Sequence, residues 1–209
     1  MKFYDCHTAP SPRLVRMFIA EKNVKVKTIE VDLRNFEHLT PEFRAINPHC
    51  TVPVIETNNG TIITSTQGCW RYLEETKEDP PLLGKTPEEK AMIADLIWHI
   101  EMDGLQAVAE GLRNSAPRLK DRAVTGPENY AQIPDLASRG KVRARRFLES
   151  LEALIGDNEF ILGDQFTAVD IFTFVIVEFA GWLKLDLPET DINSKGWYQR
   201  VISRPSSKL

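Results

Sequence analysis

The chain has 209 residues, 42% of them apolar and 27% charged, with a net charge of −4 and a pI near 5.7. That length allows one or two cores of ordinary domain size, and the acidic balance gives no electrostatic footprint for nucleic acid or an anionic membrane. No apolar run approaches the roughly 18 residues of a membrane span, and the N-terminus has no charged-then-apolar leader pattern.

Lys2–Cys6 reads as a strand, and Arg13–Lys22 carries Leu14, Val15, Phe18 and Ile19 at helical spacing. Lys25–Val31 alternates through Val26, Ile29 and Val31, again strand-like, and a short helix is expected over Pro41–Ile46. Asn47-Pro48 and Val52-Pro53 follow, and Val54–Glu56 and Ile62-Ile63 flank the turn residues Asn58-Asn59-Gly60 as a hairpin. Thr66–Thr76 is helical, with Cys69, Trp70 and Leu73 on one face. The order β-α-β-α-β-β-α implies a parallel strand pair joined by a crossover helix. Asp79–Pro87 is a linker by composition, so a first domain is expected over 1–78.

Beyond it the strand signal disappears, and 86–209 reads as all-helical. Pro87–Ala116 is expected as one long helix with Ile93, Leu96, Ile97, Ile100 and Leu105 on a face. Pro117, Gly126-Pro127 and Pro134 break the stretch up to Ile133, and Pro134–Ile155 is helical again. Its basic cluster (Arg139, Lys141, Arg143, Arg145, Arg146) reads as a solvated face. Phe166-Thr167-Ala168-Val169-Asp170-Ile171 is a capping box with a hydrophobic staple, and the nearly uniform apolar helix it opens must be buried.

Two groups of residues bear on chemistry without pointing to a reaction. The three cysteines, Cys6, Cys50 and Cys69, form no C-x-x-C and read as small buried residues in a reducing cytoplasm rather than as nucleophiles, so a cytoplasmic protein is expected. His99, Glu101 and Asp103 share one helix, lack a further ligand at sensible spacing, and read as a solvated face, so no metal is expected. Val52-Pro53 is more specific. A proline before a β-branched strand cannot donate to the sheet, and X-Pro is the one bond where a cis peptide costs little. A cis bond there turns the Val52 backbone outward, free to pair with a peptide-like ligand. The plain alternative is a loop proline opening an edge strand.

The Val52-Pro53 element, the β-α-β half, the Ile161-Leu162-Gly163-Asp164 lead-in and the capping box together resemble the cytosolic glutathione transferase family, over nearly the whole chain. The resemblance implies an α/β thioredoxin-like domain (1–78) that binds glutathione, then a helical-bundle domain (86–209) carrying an electrophile site. It also implies a homodimer with glutathione as co-substrate, no metal, and detoxification by conjugating the glutathione thiolate to small hydrophobic electrophiles. Aligning Tyr4 and Val15-Arg16 with theta- and zeta-like members places the usual catalytic serine at Ala9, as in an atypical bacterial and fungal branch lacking that Ser, Tyr or Cys. Helix N–H groups and a water are then expected to activate the thiol. Thr8 and Ser11 are neighbouring hydroxyls, and Ser11 reads equally as a helper and as a mere cap before Pro12.

By the same resemblance the Val52 backbone, with Thr51 and Pro53, holds the cysteinyl part, and His38 meets the glycyl carboxylate, unless it is only a surface histidine. Ser65-Thr66 stands where the family has Glu-Ser. Thr66 keeps a hydroxyl and a helix N-terminus for the γ-glutamyl carboxylate, while Ser65 lacks the acid that would pair with the ammonium. The electrophile pocket is expected between the first domain and the helix from Pro87, from Trp98, Met102, Leu112, Asn114, Ser115 and Tyr130, with Asn114 and Ser115 placed to hold an activating water. Two alternatives stay open: a non-catalytic scaffold of the same fold, and a glutathione-dependent peroxidase or isomerase. Thiol exchange would want a cysteine at the helix start, and none stands there.

Overall fold

Four short strands build one sheet: β1 (Lys2–Asp5), β2 (Lys27–Glu30), β3 (Val54–Glu56) and β4 (Ile62–Ile63), in the order β2-β1-β3-β4. A computed structural model describes residues 1–209 and divides them into two units. The first comprises Met1–Pro80, Thr125–Glu128 and Leu209, and contains the sheet. β1 and β2 are parallel, joined by the crossover helix α1 (Pro10–Glu21), while β3 runs antiparallel to β1 with Tyr4 opposite Val54. β4 runs antiparallel to β3 after the Asn58-Asn59-Gly60 turn, where Gly60 takes φ 85°.

Alternation along the strands sends side chains to opposite faces. Tyr4 and Val54 meet Phe43 of α2 (Pro41–Ile46), the Tyr4 and Phe43 rings edge-to-face at 6.3 Å. Phe3 and Ile55, on the alternate positions, are fully buried. α1 packs against α3 (Thr66–Thr76): Phe18 stacks on Trp70 at 5.3 Å, and the Trp70 indole N–H donates to the Leu14 carbonyl at 3.1 Å. This is the thioredoxin-like arrangement that the β-α-β order implies.

Lys22, just past α1, is wholly buried. Its ammonium pairs with Glu74 at 2.6 Å and donates to the carbonyls of Lys77, Glu78 and Pro80. A buried cation is tolerable only with such a full set of acceptors. It ties the end of α1 to the end of α3 and to the segment that follows.

The second unit, Pro81–Val124 with Asn129–Lys208, is helical. Its helices are α4 (Pro87–Ile100), α5 (Gln106–Arg113), α6 (Pro134–Ile155), α7 (Ala168–Ala180) and α8 (Ile192–Ile202). α4 opens with a reciprocal capping box between Thr86 and Glu89. α7 is buried almost throughout and opens with the expected box, the Thr167 N–H donating to Asp170 at 2.9 Å. Asp170 also accepts from the Ile161 N–H and the Trp197 indole N–H. Burial raises its pKa above the ordinary carboxylate value, against these hydrogen bonds, which lower it. The Phe166 ring has Phe160 at 5.4 Å and the Arg204 guanidinium at 3.9 Å.

Two expectations are corrected. The long helix from Pro87 is divided by a π-helical turn over Glu101–Leu105. Gly104 in that turn lies under the Phe147 ring of α6, where a Cβ would come within 2.9 Å, so the ladder yields where that ring presses on the helix. α1 begins at Pro10 rather than Arg13, because prolines are tolerated in a first turn whose N–H groups have no helical partner.

Candidate functional site

Strand directions bring most of the predicted site residues to one edge of the sheet. β1 and β2 are parallel, so the turn after β1 and the loop after β2 emerge at the same edge. β3 is antiparallel to them, so its start, Val52-Pro53, lies at that edge too, and β4, reversed again, ends there and leads into α3. Ala9 and Ser11, His38, Thr51-Val52-Pro53 and Ser65-Thr66 therefore sit along it in the order His38 loop, α1 start, Val52, α3 start. Packing supports this directly: Ala9, Leu33 and Val52 belong to one apolar cluster.

The Val52–Pro53 peptide bond is cis. The N–H and C=O of Val52 make no hydrogen bond within the chain. Thr51 is braced by Asn47, fully buried, whose amide donates to the Thr51 carbonyl at 2.8 Å and to its hydroxyl at 3.1 Å. The Asn47 side-chain oxygen in turn accepts from the His49 N–H at 3.0 Å. Asn47-Pro48 was visible in the sequence, but its role as the brace of the Val52 backbone was not; an Asn before Pro at a helix end is an Asx-turn signal that could have shown it.

The α1 start differs from expectation. Ala9 is the N-cap, with no side-chain cap, and its own N–H is taken by the Cys6 carbonyl at 2.9 Å. Ser11 is thus inside the helix, not capping it. Pro10 and Pro12 have no N–H, and Arg13 N–H already reaches the Ala9 carbonyl at 3.4 Å. One first-turn donor remains, the Ser11 N–H, next to the half-buried Ser11 side chain. The expected row of helix N–H groups is therefore reduced to a single group. Arg16 fixes the preceding turn by donating to both oxygens of Asp5 and to the His7 carbonyl.

At the far end of the edge, Ser65 caps α3, its hydroxyl accepting from the Gly68 N–H at 3.1 Å. That hydroxyl is already in use, whereas the Thr66 N–H and hydroxyl make no bond within the chain. An eleven-residue helix that leaves the Thr66 N–H and hydroxyl open favours an anion here. His38, in a 3₁₀ turn over Glu37–Leu39, is partly buried with the Phe36 ring 6.3 Å from its own.

Residues 9–76 match the glutathione S-transferase N-terminal domain and residues 134–200 the glutathione S-transferase C-terminal domain. The chain is 32% identical to glutathione S-transferase 2 of Saccharomyces cerevisiae, over 100% of its own length and 88% of that relative. The chain belongs to the glutathione S-transferase family.

A crystal structure of a glutathione S-transferase domain-containing protein from Marinobacter aquaeolei VT8 is similar at 34% identity and TM-score 0.90, with 99% of each chain covered. FtsZ-localized protein A of Caulobacter vibrioides is 27% identical, over 94% of this chain and 84% of its own. As a member of the glutathione S-transferase family, the chain thus presents free backbone groups at Val52 while lacking a hydroxyl at the α1 cap.

The residues predicted for an electrophile do not come together as one group. Trp98 and Met102 lie one helical turn apart and are both exposed. Asn114 and Ser115 follow Met102 by about 18 Å along the helix. The Asn114 amide donates to the Glu110 carbonyl at 2.9 Å and accepts from the Ile133 N–H at 2.9 Å. The Ser115 hydroxyl turns back to the Gly111 carbonyl at 2.7 Å. Both side chains therefore finish the helix end and hold the loop to Ile133. Leu112 is buried, and Tyr130 is exposed with its backbone paired to Asp121 and Ala123. No group of three or more His, Cys, Asp or Glu side chains is placed to hold a metal. No helix is long and apolar enough to cross a membrane.

Proposed function

We propose that the chain binds glutathione along this sheet edge and conjugates its thiolate to small hydrophobic electrophiles. The observation that carries the reading is the Val52 backbone, unpaired and braced by Asn47, between the α1 and α3 N-termini. A peptide whose cysteinyl residue pairs with Val52 places a carboxylate at Thr66 and its thiol toward the Ser11 N–H. The thiol proton leaves to water, and the N–H and hydroxyl of Ser11 favour the thiolate left behind. The sulfur then forms a bond to an electrophilic carbon, and the electrons of the broken bond leave with the departing group or move onto the acceptor. Trp98 and Met102 are exposed apolar side chains of the helical unit, and Asn114 and Ser115 are already engaged with backbone. The 32% identical yeast transferase supports the same reading, and a homodimeric, cytoplasmic detoxifying enzyme goes with it.

Steady-state conjugation of a chromogenic aryl halide by wild type and Ser11→Ala tests it. If the Ser11 hydroxyl stabilises the thiolate, turnover falls by more than about tenfold, or about 1.4 kcal/mol. If the N–H and water suffice, turnover stays within about threefold, less than 1 kcal/mol. An inactive wild type contradicts the reading. A second reading, a non-catalytic scaffold, is favoured by the bare Ala9 cap with prolines beside it, and by the similarity to FtsZ-localized protein A.

A further inference from the structure

The first unit contains a segment that the chain reaches only after the helical unit has begun. Thr125–Glu128 belongs with Met1–Pro80, although Val124 and Asn129 on either side belong to the second unit. Gly126 is buried there with φ 118°, a backbone that residues with a Cβ rarely adopt. A Cβ placed on it would stand 3.7 Å from the His49 carbonyl oxygen, so the Gly126 backbone lies beside the turn at His49. Both ends of the segment are held. The Ala123 N–H donates to the Tyr130 carbonyl and the Tyr130 N–H to the Asp121 carbonyl, each at 3.0 Å. The Arg113 guanidinium donates to the Arg122 carbonyl at 2.6 Å and to the Val124 carbonyl at 3.3 Å. A short tip on a closed base gives standing support, with no ordering cost left for the moment of binding.

The turn that Gly126 meets is strained. Cys50 is buried with φ 53°, in the left-handed region that a β-carbon disfavours. Its N–H closes on the Asn47 carbonyl at 2.9 Å, and the Asn47 amide braces the Thr51 carbonyl next to Val52. A residue persists in a sparsely populated conformation only where its surroundings over-determine it, and such residues cluster at ligand sites. Asn47 holds the turn from within, and Gly126 from a segment about 75 residues further along the chain. We propose that Gly126 is a positioning residue: the Thr125–Glu128 segment keeps the Asn47–Cys50 turn in its strained form and so presents the Val52 backbone to the ligand. The inference rests on the glutathione reading above.

Calorimetric titration of the full chain with glutathione, for wild type, Gly126→Ala and the double variant Gly126→Ala with Cys50→Gly, tests it. Alanine strains the tip at φ 118° and should weaken glutathione binding about three- to tenfold. Glycine at position 50 suits the left-handed backbone, so the turn no longer needs the support. The double variant should therefore bind within about twofold of wild type. Gly126→Ala within about twofold of wild type overturns the proposal while the glutathione reading stands. A double variant as weak as the single one also overturns it, because Gly126 then does not act through the turn. Hydrogen exchange on wild type keeps the test independent of how the variants fold. Glutathione should slow amide exchange over 125–128 as well as over 49–52, because coupling between two sites is reciprocal. Slowing confined to 49–52 overturns the proposal. A wild type that does not bind glutathione removes the glutathione reading itself, and the proposal with it.

Discussion

Arg16 donates from one guanidinium nitrogen to both carboxylate oxygens of Asp5, each at 2.7 Å, and from the other to the His7 carbonyl at 3.1 Å. Asp5 ends β1 and is 2% exposed, so the pair anchors the turn from which α1 starts. Losing one partner of a buried pair strands the other charge. Arg16→Met is expected to lower unfolding free energy by about 3–5 kcal/mol, and Asp5→Asn in the same chain to recover about half. Urea unfolding reads both; a single variant within about 0.5 kcal/mol of wild type contradicts the anchoring role.

Lys22 acts on the other side of the first unit. Its ammonium holds three carbonyls of the segment 77–80 besides Glu74. Lys22→Met should destabilise by about 3–5 kcal/mol and leave that segment loosely held. Limited trypsin digestion is the sharper readout: cleavage after Lys77 should become faster than in wild type before global unfolding. Equal cleavage rates would show that the segment is held by something else.

Much of this architecture was legible because turn residues and periodicity agree. Asn58-Asn59-Gly60 set the hairpin, Thr167 and Asp170 opened the buried helix, and Pro134 began α6 where a first-turn proline belongs. The cis Val52–Pro53 bond was legible because X-Pro is the one bond where cis costs little. The start of α1 was not, since Pro10 and Pro12 look like loop residues until the missing N–H groups are counted. Lys22 carries no sequence mark of burial; only its acceptors, 52 to 58 residues away in the chain, explain it. The π turn was equally hidden, because Gly104 meets Phe147 only once α6 has packed. The electrophile candidates failed to assemble because Asn114 and Ser115 are claimed by backbone groups exposed at a helix end, a need that periodicity does not register.

Cys69 gives a pH signature. Burial pushes its thiol from the ordinary 9.0 up to about 12, and its sulfur lies 3.6 Å from the Ile63 carbonyl. A raised folded pKa means stability is fully present below the unfolded value near 9.0 and is lost as pH climbs toward about 12. Across that window the loss approaches about 1.4 kcal/mol per pH unit. Cys69→Ala should remove this component, so the gap between variant and wild type narrows from pH 8 to about pH 10.5 in urea unfolding. A constant gap would mean the thiol ionises in the fold as it does in the open chain.

The most direct test of the account is the ionisation of glutathione on the protein. Thiolate absorbance in the ultraviolet is followed against pH with the chain in excess over glutathione, with calorimetry confirming saturation. The account predicts saturable binding and a thiol pKa lowered by about one unit or more from its free value, the work of a helix N-terminus and its hydroxyl. Binding with an unshifted thiol, or no binding at millimolar glutathione, would contradict it and leave a scaffold of the transferase fold.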